Sequence, residues 1–489
     1  MRLQVLADVA ADLALSPDCG ELEICGLTAD SRAVQPGWLF AALAGAKADG
    51  ADFVGDAIAR GARAILMQQP GAAVPLPHGV ARLLSREPRR VFAQLAARFY
   101  GRQPGTVVAV TGTSGKTSVA DFTRQIFARL GHSAASLGTL GLVRAGTASY
   151  GALTTPDPVT LHQTLARLAE DGVTHLALEA SSHGLDQHRL DGVVIRAAAF
   201  SNLGRDHLDY HPSLEAYLKA KLRLFTELLA CDGTAVINAD AAHAADAIRA
   251  AGQAGRKVFT VGRAGHALTL LGQSPIGFGQ QLRVRYGQAD RDIRLPLLGD
   301  YQAANALLAA GLAIASGDAG EDALGALAHL AGVRGRLEIV GELRGALIVI
   351  DYAHKPDALA AALTALRPFA PGRIVCVFGC GGDRDRGKRP MMGRIASELA
   401  ASVIVTDDNP RSEKAAAIRA EILAGAPGAR EIGDRQEAIR AGVRSLRQGD
   451  VLLIAGKGHE TGQIIGSTVV PFSDHEAVRA ALSEAPLDA

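Results

Sequence analysis

The sequence has almost no excess charge and no long apolar segment. Its 489 residues carry 51 Lys and Arg against 50 Asp and Glu, a formal net charge of +1. So small a charge gives no field that would attract nucleic acid or an anionic membrane. No apolar run reaches the roughly 20 residues that a membrane-spanning helix needs. We therefore expect no nucleic-acid partner, no membrane insertion, and small molecules as ligands.

Cysteines are also few, and the five present are odd in number and scattered: Cys19, Cys25, Cys231, Cys376 and Cys380. This pattern fits reduced thiols better than a disulfide framework. Cys376 and Cys380 lie close together, but no second Cys/His pair completes a zinc site, so we interpret them as small buried hydrophobic residues. The first residues lack the basic, apolar and cleavage segments of a signal peptide. We expect a cytoplasmic protein.

Length and hydrophobic pattern predict an α/β protein of three domains, at about 150 residues per domain. The predicted domains are 1–100, a small α/β unit, then 104–335 and 336–489. In the second and third domains, apolar runs of strand length alternate with helical stretches, which indicates parallel sheets covered by helices. These runs are 107–110, 174–178, 193–200, 234–237, 346–350, 373–378, 402–405 and 451–454.

The run 107–110 leads into a glycine-bearing turn that ends in Lys-Thr and opens a helix. The turn comprises Gly112, Thr113, Ser114, Gly115, Lys116, Thr117 and Ser118. Backbone N–H groups of such a turn face phosphate oxygens, Lys116 adds a positive charge, and the Thr117 hydroxyl suits Mg²⁺. The alternative is an ordinary strand-turn-helix. We predict a nucleotide-phosphate site, although Val110 stands where the commonest phosphate loop has a glycine.

Two residues are candidates for the metal that phosphoryl transfer requires beside the phosphate site. Glu179 ends an otherwise apolar strand, where an unpaired carboxylate would be costly to bury. His207 lies between Asp206 and Asp209. Taken alone, Glu179 could form a structural salt bridge and His207 could be a capping or surface residue. Because the same chain also carries a phosphate loop, Mg²⁺ binding is the favoured interpretation of both residues.

Polar clusters follow strands of the third domain too, at 351–354, 379–388, 407–411 and 456–460. Open α/β sheets bind ligands at the carboxyl ends of their strands. Pro410 rigidifies the turn, and the planar guanidinium of Arg411 suits a carboxylate, although an Asn-Pro turn without function is the alternative. Lys219 and Lys221 lie on a predicted helix at 213–229, where lysine is also common on a solvated face.

Three motifs together resemble the Mur ligases, the ATP-dependent amide-forming enzymes of peptidoglycan precursor synthesis. They are GTSGKT at 112–117, EASSHGLDQHR at 179–189 and SNLGRDHLDYH at 201–211. The resemblance runs from about residue 27 to 474. It implies a UDP-binding domain, a central P-loop ATPase-type domain and a C-terminal Rossmann-like domain that binds an amino acid. Within the family, the chain is most similar to the members that add 2,6-diaminopimelate to UDP-N-acetylmuramoyl-L-alanyl-D-glutamate.

The resemblance also implies roles for individual residues. For ATP, beside the phosphate loop, it implies Asn305, Arg336, Asp351 and His354. For the UDP-muramoyl dipeptide it implies Ser31, Thr154, Thr155, Ser181, Gln187 and Arg189. For diaminopimelate it implies Arg384, Asp408, Asn409, Pro410, Arg411, Gly456 and Glu460. Lys221 matches the lysine that is carbamylated in the family to N6-carboxylysine. With Lys116, Glu179 and His207 it forms the implied catalytic set, and with Thr117, Glu179 and His207 the implied metal set.

The acceptor is indicated by the Asp-Asn-Pro-Arg sequence at 408–411, the form that the family associates with meso-diaminopimelate. A guanidinium at Arg411 is able to pair with the distal carboxylate that diaminopimelate has and lysine lacks. Ser114 and Ser118 replace the commoner Asn and Thr of the loop and conserve its polarity. Ala46 and Lys47 replace a His-Gln pair often found near uracil.

We therefore expect a cytoplasmic, monomeric ligase that uses ATP and Mg²⁺ and proceeds through an acyl phosphate. Two alternatives remain within enzymes, a lysine-adding ligase and a folylpolyglutamate-type ligase. The N-terminal unit and the Asp-Asn-Pro-Arg motif speak against the folylpolyglutamate type. A catalytically silent nucleotide-binding regulator is the alternative outside enzymes. The regulator alternative is weak because a catalytically silent protein has no need to retain Lys116, Glu179, His207 and Lys221.

Overall fold

The computed structural model describes residues 1–9, 13–16, 19–45, 48–69, 74–144, 147–149, 153–207 and 209–484. Ala46 and Lys47, expected near uracil, lie outside this range. The chain divides into two compact units, Met1–Leu268 with Leu308–Ala323 and Thr269–Leu307 with Leu324–Ala489. Over the described ranges, every helix is too short or too polar to cross a membrane.

Within the first hundred positions, the described residues form a five-stranded sheet with three α-helices. In chain order the elements are α1 (Leu3–Ala7), β1 (Ala14–Leu15), β2 (Gly26–Thr28), β3 (Trp38–Ala41), α2 (Val54–Ala59), β4 (Ala64–Gln68), β5 (Ala81–Ser85) and α3 (Pro88–Tyr100). The strand order is β1-β5-β4-β3-β2, with only β1 antiparallel. Helix α3 begins at Pro88 and ends before Gly101, whose φ of 69° suits a glycine cap.

The following segment builds the sheet that carries the phosphate loop. Its elements are β6 (Thr106–Thr111), α4 (Lys116–Arg129), β7 (Ala134–Gly138), β8 (Gly141–Arg144), β9 (Thr147–Ser149), α5 (Pro158–Glu170), β10 (His175–Glu179), α6 (Ser182–Asp186), β11 (Ile195–Phe200), α7 (Leu214–Arg223), β12 (Leu229–Asn238), α8 (Ala244–Gln253) and β13 (Lys257–Gly262). The order is β13-β12-β11-β6-β10-β7-β8-β9, parallel from β13 to β7. The four apolar runs predicted here are confirmed as strands.

Antiparallel strands extend the fold beyond the predicted parallel pattern. After β14 (Leu268–Ile276), strands β15 (Gly279–Tyr286) and β16 (Ala289–Leu295) pair antiparallel. Gly287 and Gln288 connect β15 to β16, and Gly287 has a φ of 60°. A connection of two residues joins antiparallel strands only, because a parallel crossover needs a dozen or more. Helices α9 (Asp300–Ser316) and α10 (Gly320–Ala326) follow.

The last segment is a second α/β sheet. Its elements are β17 (Glu338–Leu343), β18 (Ala346–Asp351), α11 (Pro356–Leu366), β19 (Ile374–Phe378), α12 (Lys388–Leu399), β20 (Ser402–Val405), α13 (Ala415–Leu423), β21 (Arg430–Glu431), α14 (Arg435–Arg444), β22 (Val451–Ala455), β23 (Gly462–Ile465), β24 (Thr468–Pro471) and α15 (Asp474–Glu484). The six-stranded order is β17-β18-β22-β19-β20-β21, while β23 and β24 form a separate hairpin. Strands β18, β19 and β22 are buried throughout, as expected for parallel strands covered on both faces.

Both predictions for the cysteines of this sheet are confirmed. Cys376 and Cys380 are free and buried, and burial raises the pKa of each thiol to about 12. The Cys380 thiol packs 3.6 Å from the Met392 sulfur. At such a pKa the thiols stay neutral, so both residues act as small hydrophobic core residues.

Candidate active site

The phosphate loop connects β6 to α4, and glycine is required at two of its positions. Gly112 has a φ of 152°, and a Cβ there would lie 1.9 Å from the Ser201 Oγ. Gly115 has a φ of 86° and immediately precedes α4. The Lys116 Nζ donates to the carbonyls of Gly112 at 2.8 Å and Thr113 at 3.0 Å. The loop therefore presents the backbone N–H groups at the N-terminus of α4 with a lysine folded over them.

The loop that follows β11 braces the phosphate loop. Asn202 Oδ1 accepts a hydrogen bond from the Ser114 N–H at 2.9 Å, and its carbonyl accepts one from Thr113 N–H at 3.0 Å. The Ser201 Oγ donates to the Ser114 carbonyl at 2.6 Å. The sequence places these two residues in a polar cluster after a strand, but only the structure reveals this bracing contact.

Glu179 is the last residue of β10 and lies beside Val110 of β6 in the sheet register. Its side chain is only 3% exposed. The carboxylate accepts hydrogen bonds from the Thr139 N–H at 2.8 Å and the Thr139 Oγ at 3.1 Å. Two donors thus compensate the buried charge. Among the residues that the structure describes, no basic side chain forms the salt bridge that was the alternative interpretation of Glu179.

Alanine at Gly138 should displace the Glu179 carboxylate, because a Cβ there would lie 2.1 Å from its Oε1. A displacement of about 1 Å in a reacting group costs on the order of a hundredfold in rate. We expect a loss of this size in kcat/KM for ATP, measured by phosphate release, with native circular dichroism. Gly252 in α8 is the matched control, since it is exposed and a Cβ there meets open space. An unchanged rate for Gly138→Ala would contradict the placement of Glu179 in the site.

Lys221 lies in α7 with its side chain 1% exposed. The Nζ donates to the Gly112 carbonyl at 2.8 Å and lies 4.3 Å from the centre of the Tyr217 ring. Burial lowers the lysine pKa well below its ordinary value, and the nearby charge of Lys116 lowers it further. The predicted helix at 213–229 is confirmed for α7, with Ser213 as its N-cap. Lys221 therefore faces the phosphate loop, whereas Lys219 on the same helix is exposed.

His207 adopts a left-handed backbone conformation with a φ of 53°. Its Nε2 lies 3.5 Å from an Asp206 carboxylate oxygen, and its ring packs on the edge of His183 at 4.8 Å between centres. In the part of the chain that the structure describes, no three His, Cys, Asp or Glu side chains are arranged as a metal cluster.

Five of the six residues expected to hold the muramoyl dipeptide, all except Ser31, form one network around the end of β10. The Thr155 Oγ donates to the Glu179 carbonyl at 2.8 Å and accepts from the Ser181 N–H at 3.0 Å. Arg189 donates to the Thr155 carbonyl at 2.7 Å and to Gln187 Oε1 at 2.7 Å. Thr154 joins through Thr139, whose hydroxyl lies 3.1 Å from the Thr154 hydroxyl. The network connects these side chains directly to Glu179.

A cavity of about 770 Å³ opens beside this network. Its lining combines residues of the first hundred positions with residues around α5 and α6. Among them are Leu27, Thr28, Asp30, Trp38, Arg89, Phe92, Tyr100, Asp157, Gln187 and Arg189. Ser31 begins a 3₁₀ turn directly after this lining and is itself outside it. The cavity is large enough for a nucleotide-sized ligand.

In the second unit, the residues expected on the nucleotide side lie around Arg336. Gln302 connects Asn305 to Arg336, accepting from the Asn305 amide at 2.9 Å and donating to the Arg336 carbonyl at 3.3 Å. The Arg336 guanidinium stacks 4.7 Å over the Tyr352 ring. Asp351 accepts two backbone hydrogen bonds at 2.8 Å, and burial raises the pKa of its carboxyl group. Burial lowers the pKa of His354 to about 4, so this imidazole is neutral at pH 7.

Residues expected to hold diaminopimelate also come together in this unit. The Asn409 amide donates to Glu460 Oε2 at 2.9 Å. Gly456 has a φ of 115°, and a Cβ there would lie 2.6 Å from an Asp408 oxygen. Lys457, which the sequence did not single out, is fully buried and donates to Asn409 Oδ1 at 3.0 Å and to Glu460 at 2.9 Å. Its burial between these two side chains fixes their orientation.

Arg411 is held in a left-handed conformation, with a φ of 52°. The hairpin of β23 and β24 fixes it, because its N–H donates to the Ile464 carbonyl at 3.0 Å and its carbonyl accepts from the Gly466 N–H at 2.8 Å. One guanidinium nitrogen donates to the Gly382 carbonyl at 2.8 Å. Among the residues described, no carboxylate pairs with this guanidinium. Arg384 follows Gly382 by two positions and is exposed.

The sequence analysis also missed Arg389, which is fully buried and supports the segment that follows Arg411. Its guanidinium donates to Glu413 at 2.7 and 3.0 Å and to Glu421 at 2.8 Å. Glu413 in turn accepts from the Asp383 N–H at 2.7 Å. The hydrogen bond to Arg389 lowers the pKa of Glu413 to about 2. A local pattern gives no sign of this network, whose members lie up to 38 positions apart.

Replacing Arg389 with glutamine should lower the free energy of unfolding by about 2 kcal/mol. Breaking a fully buried ion pair costs more, but the carboxylates of Glu413 and Glu421 are partly exposed. Since the pKa of Glu413 is depressed in the folded state, its stabilisation exists above the ordinary pKa and is lost as pH falls towards about 2. Urea unfolding from pH 7 to pH 3 should show the difference from wild type shrinking. Arg394→Gln, on the exposed face of α12, is the control. A difference independent of pH would contradict this assignment.

Three protein-family models match the chain. The Mur ligase family, catalytic domain, matches residues 23–100, the Mur ligase middle domain matches 110–313, and the Mur ligase, glutamate ligase domain, matches 335–458. Together they cover most of the sequence. The middle-domain match includes the phosphate loop, Glu179, His207 and Lys221.

Curated relatives and a solved ligase structure match over nearly the full length, and a further solved structure matches over three quarters of it. The UDP-N-acetylmuramoyl-L-alanyl-D-glutamate--2,6-diaminopimelate ligases of Rhizobium meliloti and Bradyrhizobium diazoefficiens are 58% and 57% identical, over 96% and 99% of both chains. A solved structure of a ligase with the same name is 33% identical over 99% of both chains, with a TM-score of 0.74. Folylpolyglutamate synthase of Mycobacterium tuberculosis, 20% identical over 75% of this chain with a TM-score of 0.61, shares the fold. This chain belongs to the Mur ligase family.

Proposed function

We propose that the protein is the ATP-dependent ligase that joins meso-diaminopimelate to the D-glutamyl residue of UDP-N-acetylmuramoyl-L-alanyl-D-glutamate in peptidoglycan precursor synthesis. The observation that carries this assignment is the identity of 57–58% to ligases of that name over 96–99% of the chain. The Arg411 guanidinium pairs with no carboxylate of the described residues, which supports diaminopimelate as the acceptor because this group suits the distal carboxylate.

The reaction needs ATP because a carboxylate is a poor electrophile. A carboxylate oxygen of the D-glutamyl residue attacks the γ-phosphorus, the bond to the ADP oxygen breaks, and an acyl phosphate forms. The amine of diaminopimelate then attacks the acyl carbon, and the carbon–oxygen bond breaks to release phosphate while the amine proton passes to solvent. Lys116 and the N–H groups of the phosphate loop bind the charged phosphate oxygens and hold them in position.

Mg²⁺ fits the donors beside the phosphate loop. The buried Glu179 carboxylate and the Thr117 hydroxyl are hard oxygen ligands of the kind that Mg²⁺ prefers, and His207 is the further candidate. The ion would neutralise charge on the phosphate oxygens. We further propose that Lys221 is carbamylated. Its burial favours the neutral amine, the form that adds carbon dioxide, and the carbamate would add a negative charge beside the phosphate loop.

The remaining assignments follow the family positions. Asn305, Arg336, Asp351 and His354 would bind the nucleotide. The network of Thr154, Thr155, Ser181, Gln187 and Arg189, with Ser31, would bind the UDP-muramoyl dipeptide. Arg384, Asp408, Asn409, Pro410, Arg411, Gly456 and Glu460 would bind diaminopimelate. The boundaries at 1–100, 104–335 and 336–489, a monomeric state and a cytoplasmic location remain predictions from the sequence.

An oxygen-18 transfer experiment tests the proposed chemistry. The D-glutamyl carboxylate of the UDP-linked substrate is labelled with oxygen-18, and the released phosphate is analysed by mass spectrometry in the presence of diaminopimelate. An acyl phosphate transfers one labelled oxygen to each phosphate. Unlabelled phosphate would show that ATP is hydrolysed by water, as in a nucleotide-binding regulator without ligase activity.

A further inference from the structure

The turn at residues 187–191 connects α6 to β11 and carries two of the residues proposed to bind the muramoyl dipeptide, Gln187 and Arg189. His188 lies between them and adopts a left-handed backbone conformation, with a φ of 58°. For a residue other than glycine this conformation costs free energy, and it persists only where surrounding contacts hold it. Arg189 donates to Gln187 Oε1 at 2.7 Å across His188. The strained residue therefore sets the relative position of the two side chains.

Asp191 connects this turn to α7. The Asp191 side chain is only 5% exposed. Its Oδ1 lies 3.2 Å from the His188 Nδ1 and accepts a hydrogen bond from the Arg223 Nη2 at 3.1 Å. Arg223 is the last residue of α7, and its guanidinium also donates to the Leu185 carbonyl, just before the turn. Through Arg223, both ends of the turn are therefore bonded to one helix.

Other carboxylates share the arginines around Asp191, but they are more exposed. Arg90 on α3 lies 3.6 Å from the Asp191 Oδ1 and 3.2 Å from Glu87. Glu227 accepts a hydrogen bond from Arg223 at 2.8 Å. The side chains of Glu87 and Glu227 are 55% and 40% exposed, so water screens their attraction to the arginines. The buried Asp191 carboxylate is the one that fixes Arg223 firmly.

We propose that Asp191 is a positioning residue for the UDP-linked substrate, an inference that rests on the proposed function. Asp191 acts through the turn, because its carboxylate holds His188 in the left-handed conformation. This conformation keeps Gln187 and Arg189 in the geometry of the dipeptide network. The Arg189 guanidinium also donates to the Thr155 carbonyl at 2.7 Å, and the Thr155 hydroxyl donates to the last residue of β10 at 2.8 Å. Displacement of the turn would therefore reach the end of β10.

The first variant is Asp191→Ser, which removes the charge and is too short to contact both His188 and Arg223. Initial rates give kcat and the KM values for the UDP-linked substrate and for ATP, and thermal unfolding gives the melting temperature. A misplacement of about 1 Å costs on the order of a hundredfold in rate, so a smaller shift of the turn should raise the KM for the UDP-linked substrate by about tenfold. The values of kcat and of the KM for ATP should change by less than about twofold, the pattern expected when only substrate binding is weakened.

Arg223→Gln is a second variant that tests the same ion pair from α7. Both substitutions remove one interaction, so the double variant should show about the same KM as each single variant, not the product of the two increases. Asp171→Ser is the matched control, since Asp171 pairs with Arg144 at 2.7 Å on the exposed surface. The control should leave all three constants unchanged.

A lower melting temperature with unchanged KM values in Asp191→Ser and Arg223→Gln would overturn the proposal, because the ion pair would then serve stability alone. Equal increases in both KM values would also overturn it, as would independent effects that multiply in the double variant. If Asp191→Ser does not fold, the KM values of Arg223→Gln decide by the same criterion. Calorimetry in which the wild-type protein binds no UDP-linked substrate would instead contradict the proposed function.

Discussion

Replacing Lys116 with alanine should lower the ATP-dependent turnover by about a thousandfold, the upper range for loss of one preorganised charge in a phosphoryl-transfer site. Lys116 begins α4, and its Nζ already lies over the phosphate loop, 2.8 Å from the Gly112 carbonyl. The fixed ammonium group would meet the charge that develops on the γ-phosphate oxygens. Phosphate release with all three substrates present measures the effect.

The matched control is Lys219→Ala, because Lys219 is an exposed lysine on α7 that makes the same change in net charge. It should retain the wild-type turnover. Thermal unfolding should be similar for both variants, since the Lys116 ammonium group donates to two backbone carbonyls of its own loop. Near-normal turnover of the Lys116→Ala variant would show that the phosphate loop has no role in the reaction.

Replacing Arg411 with alanine should raise the KM for diaminopimelate by about a hundredfold and the KM for ATP by less than twofold. A bidentate pair with a carboxylate contains two charge-assisted hydrogen bonds, which together justify an effect of this size. L-Lysine has no distal carboxylate, so any use of it as an acceptor should not fall in the variant. Initial rates at varied amino acid and ATP concentrations separate these constants.

Lys414→Ala provides the control for Arg411, as Lys414 is an exposed cation three residues later. It should change neither KM by more than twofold. Arg411→Lys should recover little, because an ammonium group does not reproduce the planar two-pronged geometry. Equal increases in both constants for Arg411→Ala would contradict carboxylate pairing and indicate a general disturbance of the loop.

Local sequence patterns were sufficient to predict the parallel strands and the phosphate loop. Buried parallel strands are apolar on both faces, so runs such as 107–110 and 451–454 stand out as strands β6 and β22. The order of Gly115, Lys116 and Thr117 after a strand likewise requires a particular turn. These features depend only on residues that are adjacent in sequence, so a single sequence is enough to predict them.

Long-range contacts account for what the sequence could not predict. Lys457 and Arg389 are ordinary basic residues in the sequence, and only the packing of distant elements buries them beside Glu460 and Glu413. The left-handed backbone of Arg411 depends on hydrogen bonds to a hairpin about 55 residues later. Burial, charge pairing and backbone strain of this kind follow from tertiary structure, so pattern alone does not contain them.

The most direct test of the central claim compares acceptors. Phosphate release from ATP and Mg²⁺ is measured with UDP-N-acetylmuramoyl-L-alanyl-D-glutamate and either meso-diaminopimelate, L-lysine or no amino acid, with the product identified by mass. We predict release that depends on diaminopimelate, together with the UDP-linked tripeptide. Preference for lysine would contradict the role of Arg411, and no release with any acceptor would contradict ligase activity altogether.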